Sequence, residues 1–422
     1  MHSVTNAIPT GTIASIPAKA HAHRALICAA LANSPSTILL SRTSKDIDAT
    51  MDSLRGLGAH VVYENKVVTV TPGPVPAKGN VVPHESGTTL RLLLPVAASI
   101  CNDVDIDAKG RLPDRPLEPM LGEMKAHGVT FSQDKPPFTM MGRLQGGNFS
   151  MVGDVSSQFF SGLLLAAPQI GLSTITSTTP LQSSDYVTLT TETMRDFGVE
   201  VEHTLPDTNI NEAFTVPFGS SFIGRDNYQI EGDWSNAAIW MVAAGMTGKP
   251  ITITGMNKNS VQADRRIMQV MIDAGCDVVW NGMNVTVTGR ASKPFHADLE
   301  QMPDMLPVMA ALSCSISGES SFVKGARLRL KESDRLVAVA NLVKDLGGTV
   351  REEGDDLYII GSGILKGGHG DCVNDHRLVM AGTLMALISE NPVTLKDSEA
   401  ITKSYPHFFE DWNLLGGNAQ PV

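Results

Sequence analysis

Hydrophobic and polar positions fall along this chain in one phrase that returns about every 70 residues, the mark of an array of like units. The first half is a polar cluster running into an Ala/Leu/Met-rich segment: KAHAHRALICAALA from Lys19, SGTTLRLLLPVAA from Ser86, SSQFFSGLLLAAP from Ser156, WSNAAIWMVAAG from Trp234, MPDMLPVMAALS from Met302 and NDHRLVMAGTLMALIS from Asn374. Such a segment predicts a loop or cap feeding a mostly buried helix. Ser, Thr, Asp and Asn satisfy the free N–H groups at a helix start, and small apolar residues pack closely behind. The second half is an amphipathic stretch that stops at a glycine (Gly58, Gly128, Gly198, Gly275, Gly347, Gly416) and passes into β-branched alternation. A glycine there ends a helix in the left-handed conformation, and the alternation reads as a strand. KVVTVTP, NVTVTG and DLYIIG predict further short strands between units.

Helix pairs alone would stack into a solenoid, but every unit here mixes helices with strands. The polar clusters all stand at the start of the buried helix, and helix N-termini aimed at one place make a multi-pronged anion site. The glycines are spaced 70, 70 and then 77 residues apart, so an insertion near residues 220–232 marks a boundary at mid-chain.

Composition narrows the ligand. With 422 residues, 18% charged and a net charge of −11, the chain is an ordinary globular protein of two large domains. It lacks the basic excess that a nucleic acid or an anionic membrane surface requires. Five scattered cysteines without a CxxC predict reduced thiols and a cytoplasmic protein. ALICAALA after Lys19 and Arg24 imitates a secretory signal, but it begins after two prolines and recurs in kind further on, so no targeting segment is read. No apolar run reaches the ~20 residues of a membrane span.

Local clusters of cations recur at equivalent places: Lys19 and Arg24, Arg115 after RLPD, KESDR at 331–335, NDHR at 374–377 and Lys403 in TKSYP. Convergent Arg and Lys hold phosphate and carboxylate, which predicts a small polyanionic substrate. There is no P-loop, no G-x-G-x-x-G after a strand and no nucleophile elbow. His21 and His23 lie two apart without a third ligand, so no metal is expected.

In order, K-x-x-x-x-R-A-L, S-G-T-x-x-R, D-R-P, DVSSQFFSGLLLAAP, E-G-D, P-D, KESDRL, NDHRLVMA and T-K-S-Y-P resemble the 5-enolpyruvylshikimate-3-phosphate synthases (3-phosphoshikimate 1-carboxyvinyltransferases) from Lys19 to Phe409. The resemblance implies an α/β fold, a two-domain inside-out α/β barrel of six βαβαββ repeats with pseudo-threefold symmetry in each domain. One domain is 18–230; the other joins 1–17 to 231–422. It implies transfer of the enolpyruvyl group of phosphoenolpyruvate to the 5-hydroxyl of 3-phosphoshikimate by addition and elimination, without metal or organic cofactor, in a monomer that engages neither nucleic acid nor membrane. Lys19, Gly87, Arg115, Gln158, Arg335, Arg377 and Lys403 then match positions around phosphoenolpyruvate. Lys19, Arg24, Ser156, Ser157, Gln158, Ser183, Tyr186, Asp304 and Lys331 match those that hold 3-phosphoshikimate. Asp304 is implied as the base, Glu332 as the proton shuttle at the methylene, and Lys19 and Lys403 as aids to proton transfer and phosphate departure. A helix cap is the plain structural role for Asp304, and an ion pair with Lys331 or Arg335 that for Glu332.

The chain departs from the family's S-K-S with Ala18 and Ala20, carries Glu85 where many members have Asn, and has Arg327 in place of a frequent Asn. The loss of one hydrogen bond to a charged group predicts weaker 3-phosphoshikimate binding, by ~1.5–3 kcal/mol. Two alternatives stand beside this reading. A UDP-N-acetylglucosamine enolpyruvyl transferase would carry a reactive Cys where AKGRLPDRP has none. A non-catalytic phosphometabolite-binding protein would not need an acid and a base together.

Overall fold

Twelve α-helices follow one another in pairs among the described residues, 1–205 and 211–422, of a computed structural model. They are α1 (Lys19–Ala30), α2 (Lys45–Gly56), α3 (Gly87–Ile100), α4 (Met120–Ala126), α5 (Ser157–Ile170), α6 (Asp185–Asp196), α7 (Trp234–Thr247), α8 (Ile267–Asp273), α9 (Leu306–Cys314), α10 (Arg335–Asp345), α11 (His376–Met385) and α12 (Phe408–Leu414). The odd-numbered helices are the Ala/Leu/Met-rich segments, buried along most of their length. The even-numbered ones are amphipathic, and the six glycines that follow them all have positive φ, from 87° at Gly347 to 104° at Gly58. A side chain is disfavoured in that conformation, which is why the sequence places glycine there.

Each helix pair is woven into a four-stranded sheet, six sheets in all among the described residues. One repeat runs Gly79–Val81, α3, Asp103–Ile106, α4, Thr130–Phe131, Phe138–Met141. The first two strands pair in parallel, Gly79 opposite Val104, and the remaining two pair antiparallel in sequence, Asp103 opposite Met141 and Thr130 opposite Met141 across the shared strand. This is βαβαββ, and strands 147–151, 173–177, 202–204 and 213–216 repeat it.

The chain divides into two compact units, Met1–Ile16 with Glu231–Val422, and Pro17–Ile230, each with its own hydrophobic core. Both close on themselves. In the continuous unit the strand Tyr228–Gln229 comes back to pair in parallel with Ser36–Leu39 and completes the first repeat. In the other unit Gly11–Ala14 pairs in parallel with Ile251–Thr254, and His2–Thr5 lies between Val393–Lys396 and Asn418–Pro421, antiparallel to both. No helix among the described residues is long and apolar enough to cross a membrane.

Candidate functional site

Polar side chains cap four of the six buried helices. Ser86 accepts from Thr89 N, Ser156 from Gln158 N, Asp233 from Asn236 N and Asp375 from Arg377 N. The start of α1, after Ala18, has no side-chain cap, and neither has the 3₁₀ turn Pro303–Met305 that precedes α9. The capping role therefore does not account for Asp304.

Asp304 instead sits at the centre of an ion-pair network in the unit of residues 231–422. Its Oδ1 lies 3.2 Å from Lys331 Nζ and 2.7 Å from Arg335 Nη1, and its Oδ2 lies 3.3 Å from Arg377 Nη2. Burial opposes its ionisation, but Lys331, Arg377 and Arg335 outweigh that and hold the carboxyl well below the usual range. Arg335 is 1% exposed, and each of its three nitrogens meets a carboxylate: Nη1 Asp304, Nη2 Glu332 at 2.6 Å and Nε Asp375 at 2.9 Å. The ion pair foreseen for Glu332 is thus present. Lys331 is pushed down to about 8 by burial, with Asp304 opposing and Arg327 and Arg335 adding to the shift. Lys403 Nζ donates to Asn374 O at 2.7 Å, which ties it to the turn that leads into Arg377.

Five of the foreseen residues in this unit, Asp304, Lys331, Glu332, Arg335 and Arg377, form one network, and the sequence reading gave no role to the groups that support it. Buried Asp375 holds Arg335 and accepts from Ser333 Oγ at 3.1 Å. Asp264, 1% exposed, accepts from Ser235 Oγ; burial raises its pKa to about 6, with Arg377 opposing and Asp304 and Asp233 adding to the rise.

In the unit of residues 17–230, Lys19 opens α1 and donates to Asp46 Oδ2 in the first turn of α2 at 2.8 Å. Gly87 opens α3 beside Arg115; a Cβ on Gly87 would lie 2.6 Å from Arg115 Nη1, so only glycine leaves that guanidinium in place. Gln158 is held through both ends of its amide, donating to Thr88 Oγ1 at 2.9 Å and accepting from Arg91 Nη1 at 3.1 Å. Arg91 also donates to Pro116 O at 3.1 Å, so this one cation fixes both Gln158 and the chain next to Arg115. The signal for it in the sequence was a lone arginine inside the apolar run LRLLLPVAASI.

Ser156 and Ser157 stand at the N-terminus of α5, and Ser183, buried with φ 54°, precedes α6. Both helix starts present N–H groups suited to an anion. Arg24, 1% exposed, donates to Thr190 Oγ1 (2.7 Å), Ala20 O (2.7 Å), Ser161 Oγ (3.3 Å) and Tyr186 O (3.0 Å), pinning α1 to α5 and α6. Most of its donors are thereby committed to protein. His21 and His23 bond elsewhere, to Tyr228 Oη at 2.8 Å and Thr50 Oγ1 at 2.6 Å. No group of three His, Cys, Asp or Glu side chains among the described residues is placed to hold a metal.

A family model described as EPSP synthase (3-phosphoshikimate 1-carboxyvinyltransferase) matches residues 7–412. The 3-phosphoshikimate 1-carboxyvinyltransferase of Clostridium kluyveri is 35% identical over 412 residues, covering 96% of this chain and 95% of that protein. That of Methanocorpusculum labreanum is 33% identical over 417 residues, covering 97% of each. A solved EPSP synthase from Acinetobacter baumannii matches with a TM-score of 0.81 at 22% identity, over 100% of this chain and 99% of that one, a likeness of fold.

Proposed function

The chain belongs to the EPSP synthase (3-phosphoshikimate 1-carboxyvinyltransferase) family, and from that premise we propose that its own residues carry the transfer of the enolpyruvyl group of phosphoenolpyruvate to the 5-hydroxyl of 3-phosphoshikimate, with release of phosphate. We take the two compact units as the family's two domains. The observation that carries the assignment of roles is the position of Asp304, an ionised carboxylate kept among Lys331, Arg335 and Arg377.

In this reading Glu332 gives a proton to the methylene carbon of phosphoenolpyruvate, and the 5-hydroxyl attacks the adjacent carbon as Asp304 takes its proton. The tetrahedral adduct then loses phosphate, which carries away the proton held by Asp304, and a proton of its methyl group returns to Glu332 as the double bond re-forms. Arg335 serves by holding Asp304 and Glu332 on one guanidinium, so that acid and base keep a fixed spacing. Arg377, Lys403, Lys19 and Arg115 neutralise the carboxylate and departing phosphate. Ser156, Ser157, Ser183, Tyr186, Gln158 and Lys331 hold 3-phosphoshikimate, with Arg24 bracing the helices that present them.

We place the reaction in the cytoplasm, in keeping with five buried free thiols, and in a monomer. Mixing the protein with phosphoenolpyruvate and 3-phosphoshikimate is expected to release phosphate, and UDP-N-acetylglucosamine as acceptor is expected to give none. Release with the nucleotide sugar alone would transfer the assignment to that acceptor; release with neither would leave a binding protein.

A further inference from the structure

The transfer chemistry leaves one buried polar chain unused. His23 in α1, Thr50 in α2 and Thr89 in α3 are 0% exposed, and Ser86, the cap of α3, is 1% exposed. His23 Nδ1 lies 2.6 Å from Thr50 Oγ1, which lies 2.7 Å from Thr89 Oγ1. Thr89 Oγ1 in turn reaches Ser86 Oγ at 2.8 Å and Asp46 O at 3.3 Å, and Ser86 Oγ accepts from Thr89 N at 3.2 Å. The far end of this chain therefore meets two features of the candidate site, the start of α3 at Gly87 and the backbone of Asp46, whose carboxylate holds Lys19.

Packing alone would be served as well by an apolar side chain at position 23. A buried hydroxyl row costs free energy unless every proton finds an acceptor, and two threonines facing one another do not fix which of them donates. A histidine at the end of the row does. With the proton on Nδ1, His23 donates to Thr50, Thr50 to Thr89, and Thr89 to Ser86 Oγ with Asp46 O as a second, longer acceptor, so every proton from His23 to Thr89 finds an acceptor. The tautomer is assigned from this bonding pattern. It leaves on Nε2 a lone pair that has no hydrogen-bond partner among the described residues. Burial, with Lys19 and Arg24 adding to the effect, keeps the ring neutral, as a one-proton donor must be.

We propose that His23 is a positioning residue for phosphoenolpyruvate: acting through Thr50 and Thr89, it fixes the start of α3 and the Asp46 backbone, and thereby Gly87 and Lys19. This rests on the functional reading above. The test compares the full-length protein with His23→Leu, His23→Asn and Thr89→Val, the last a near-isosteric change that removes only the hydroxyl. The quantities measured are kcat, KM for phosphoenolpyruvate at saturating 3-phosphoshikimate, Kd for 3-phosphoshikimate by calorimetry, and Tm. His23→Leu and Thr89→Val are expected to raise KM for phosphoenolpyruvate about fivefold or more while Kd for 3-phosphoshikimate stays within about twofold, and His23→Asn, which keeps a donor near the Nδ1 position, is expected to restore most of the loss. An unchanged KM in Thr89→Val, a parallel loss of both substrates, or an Asn variant as impaired as the Leu variant would overturn the proposal. Should His23→Leu fail to fold, Thr89→Val decides alone. Turnover by the parent protein separates the two readings: without it both fall, and with it only the role of His23 is at stake.

Discussion

Lys331 shares a carboxylate with Arg335 and Arg377, yet it alone of the three cations can lose its charge near neutrality, because burial pushes it down to about 8. Affinity for 3-phosphoshikimate is therefore expected to fall as pH rises through about 8, as the ammonium we propose to hold the anion becomes neutral. Calorimetric titration across that range checks it, and Lys331→Arg should remove the alkaline limb. The sign for stability is opposite: the folded protein binds fewer protons here than the unfolded chain, so this group adds stability as pH rises from about 8 towards the unfolded value. Asp304→Asn is expected to lower kcat by roughly 10²–10⁴-fold with a smaller effect on KM, since a general base acts in the transition state. Ala20→Ser should lower the Michaelis constant for 3-phosphoshikimate about tenfold, the hydroxyl adding one hydrogen bond to a charged group. Lys331, Glu332, Arg335 and Arg377 were legible because they stand in short contiguous motifs. Asp46 and His23 were not, because their partners each lie 27 residues away in sequence and no local spacing announces them; Arg91 stood out as the arginine of S-G-T-x-x-R inside an apolar run, but its hold on Gln158, 67 residues on, did not.

Helices and turns were the most legible level, because each repeat restates the same instruction. The six glycines could be assigned their left-handed backbone from pattern alone, and all six adopt it. Capping was legible only in part: α1 starts after Ala18 and α9 after Pro303–Met305, and their polar residues face cations or carboxylates instead of the helix's own N–H groups. Close approach of whole elements was not legible. A Cβ on Gly162 of α5 would come within 2.5 Å of Arg91 O in α3, so two buried helices touch there through backbone. Gly162→Ala is expected to destabilise the protein by about 1–3 kcal/mol through overpacking, read as a lower urea midpoint. Gly87→Ala tests the start of α3 differently. It should displace the Arg115 guanidinium and raise KM for phosphoenolpyruvate by about tenfold or more, leaving Tm nearly unchanged because a guanidinium end yields more readily than backbone.

At the scale of the molecule, the sixfold phrase announced the repeats but not the way they close, since the two completing segments, 2–14 and 228–229, are too short to stand out in a periodic pattern. The consequence for independent folding is asymmetric. Pro17–Ile230 contains every strand of its three sheets, whereas Glu231–Val422 lacks Gly11–Ala14 and the interior strand His2–Thr5. A fragment of residues 17–230 is expected to melt cooperatively by circular dichroism, and a fragment of 231–422 to do so only when a peptide of residues 1–16 is supplied. The same asymmetry sets an order of events during synthesis. The continuous unit is complete once residue 230 has left the ribosome, but His2–Thr5, made before it, has no partner strand until Val393–Lys396 and then Asn418–Pro421 follow. Through that interval the nascent chain carries an unpaired strand bearing Val4, buried in the finished fold, and it is a client for whatever shields exposed strand edges in the cell.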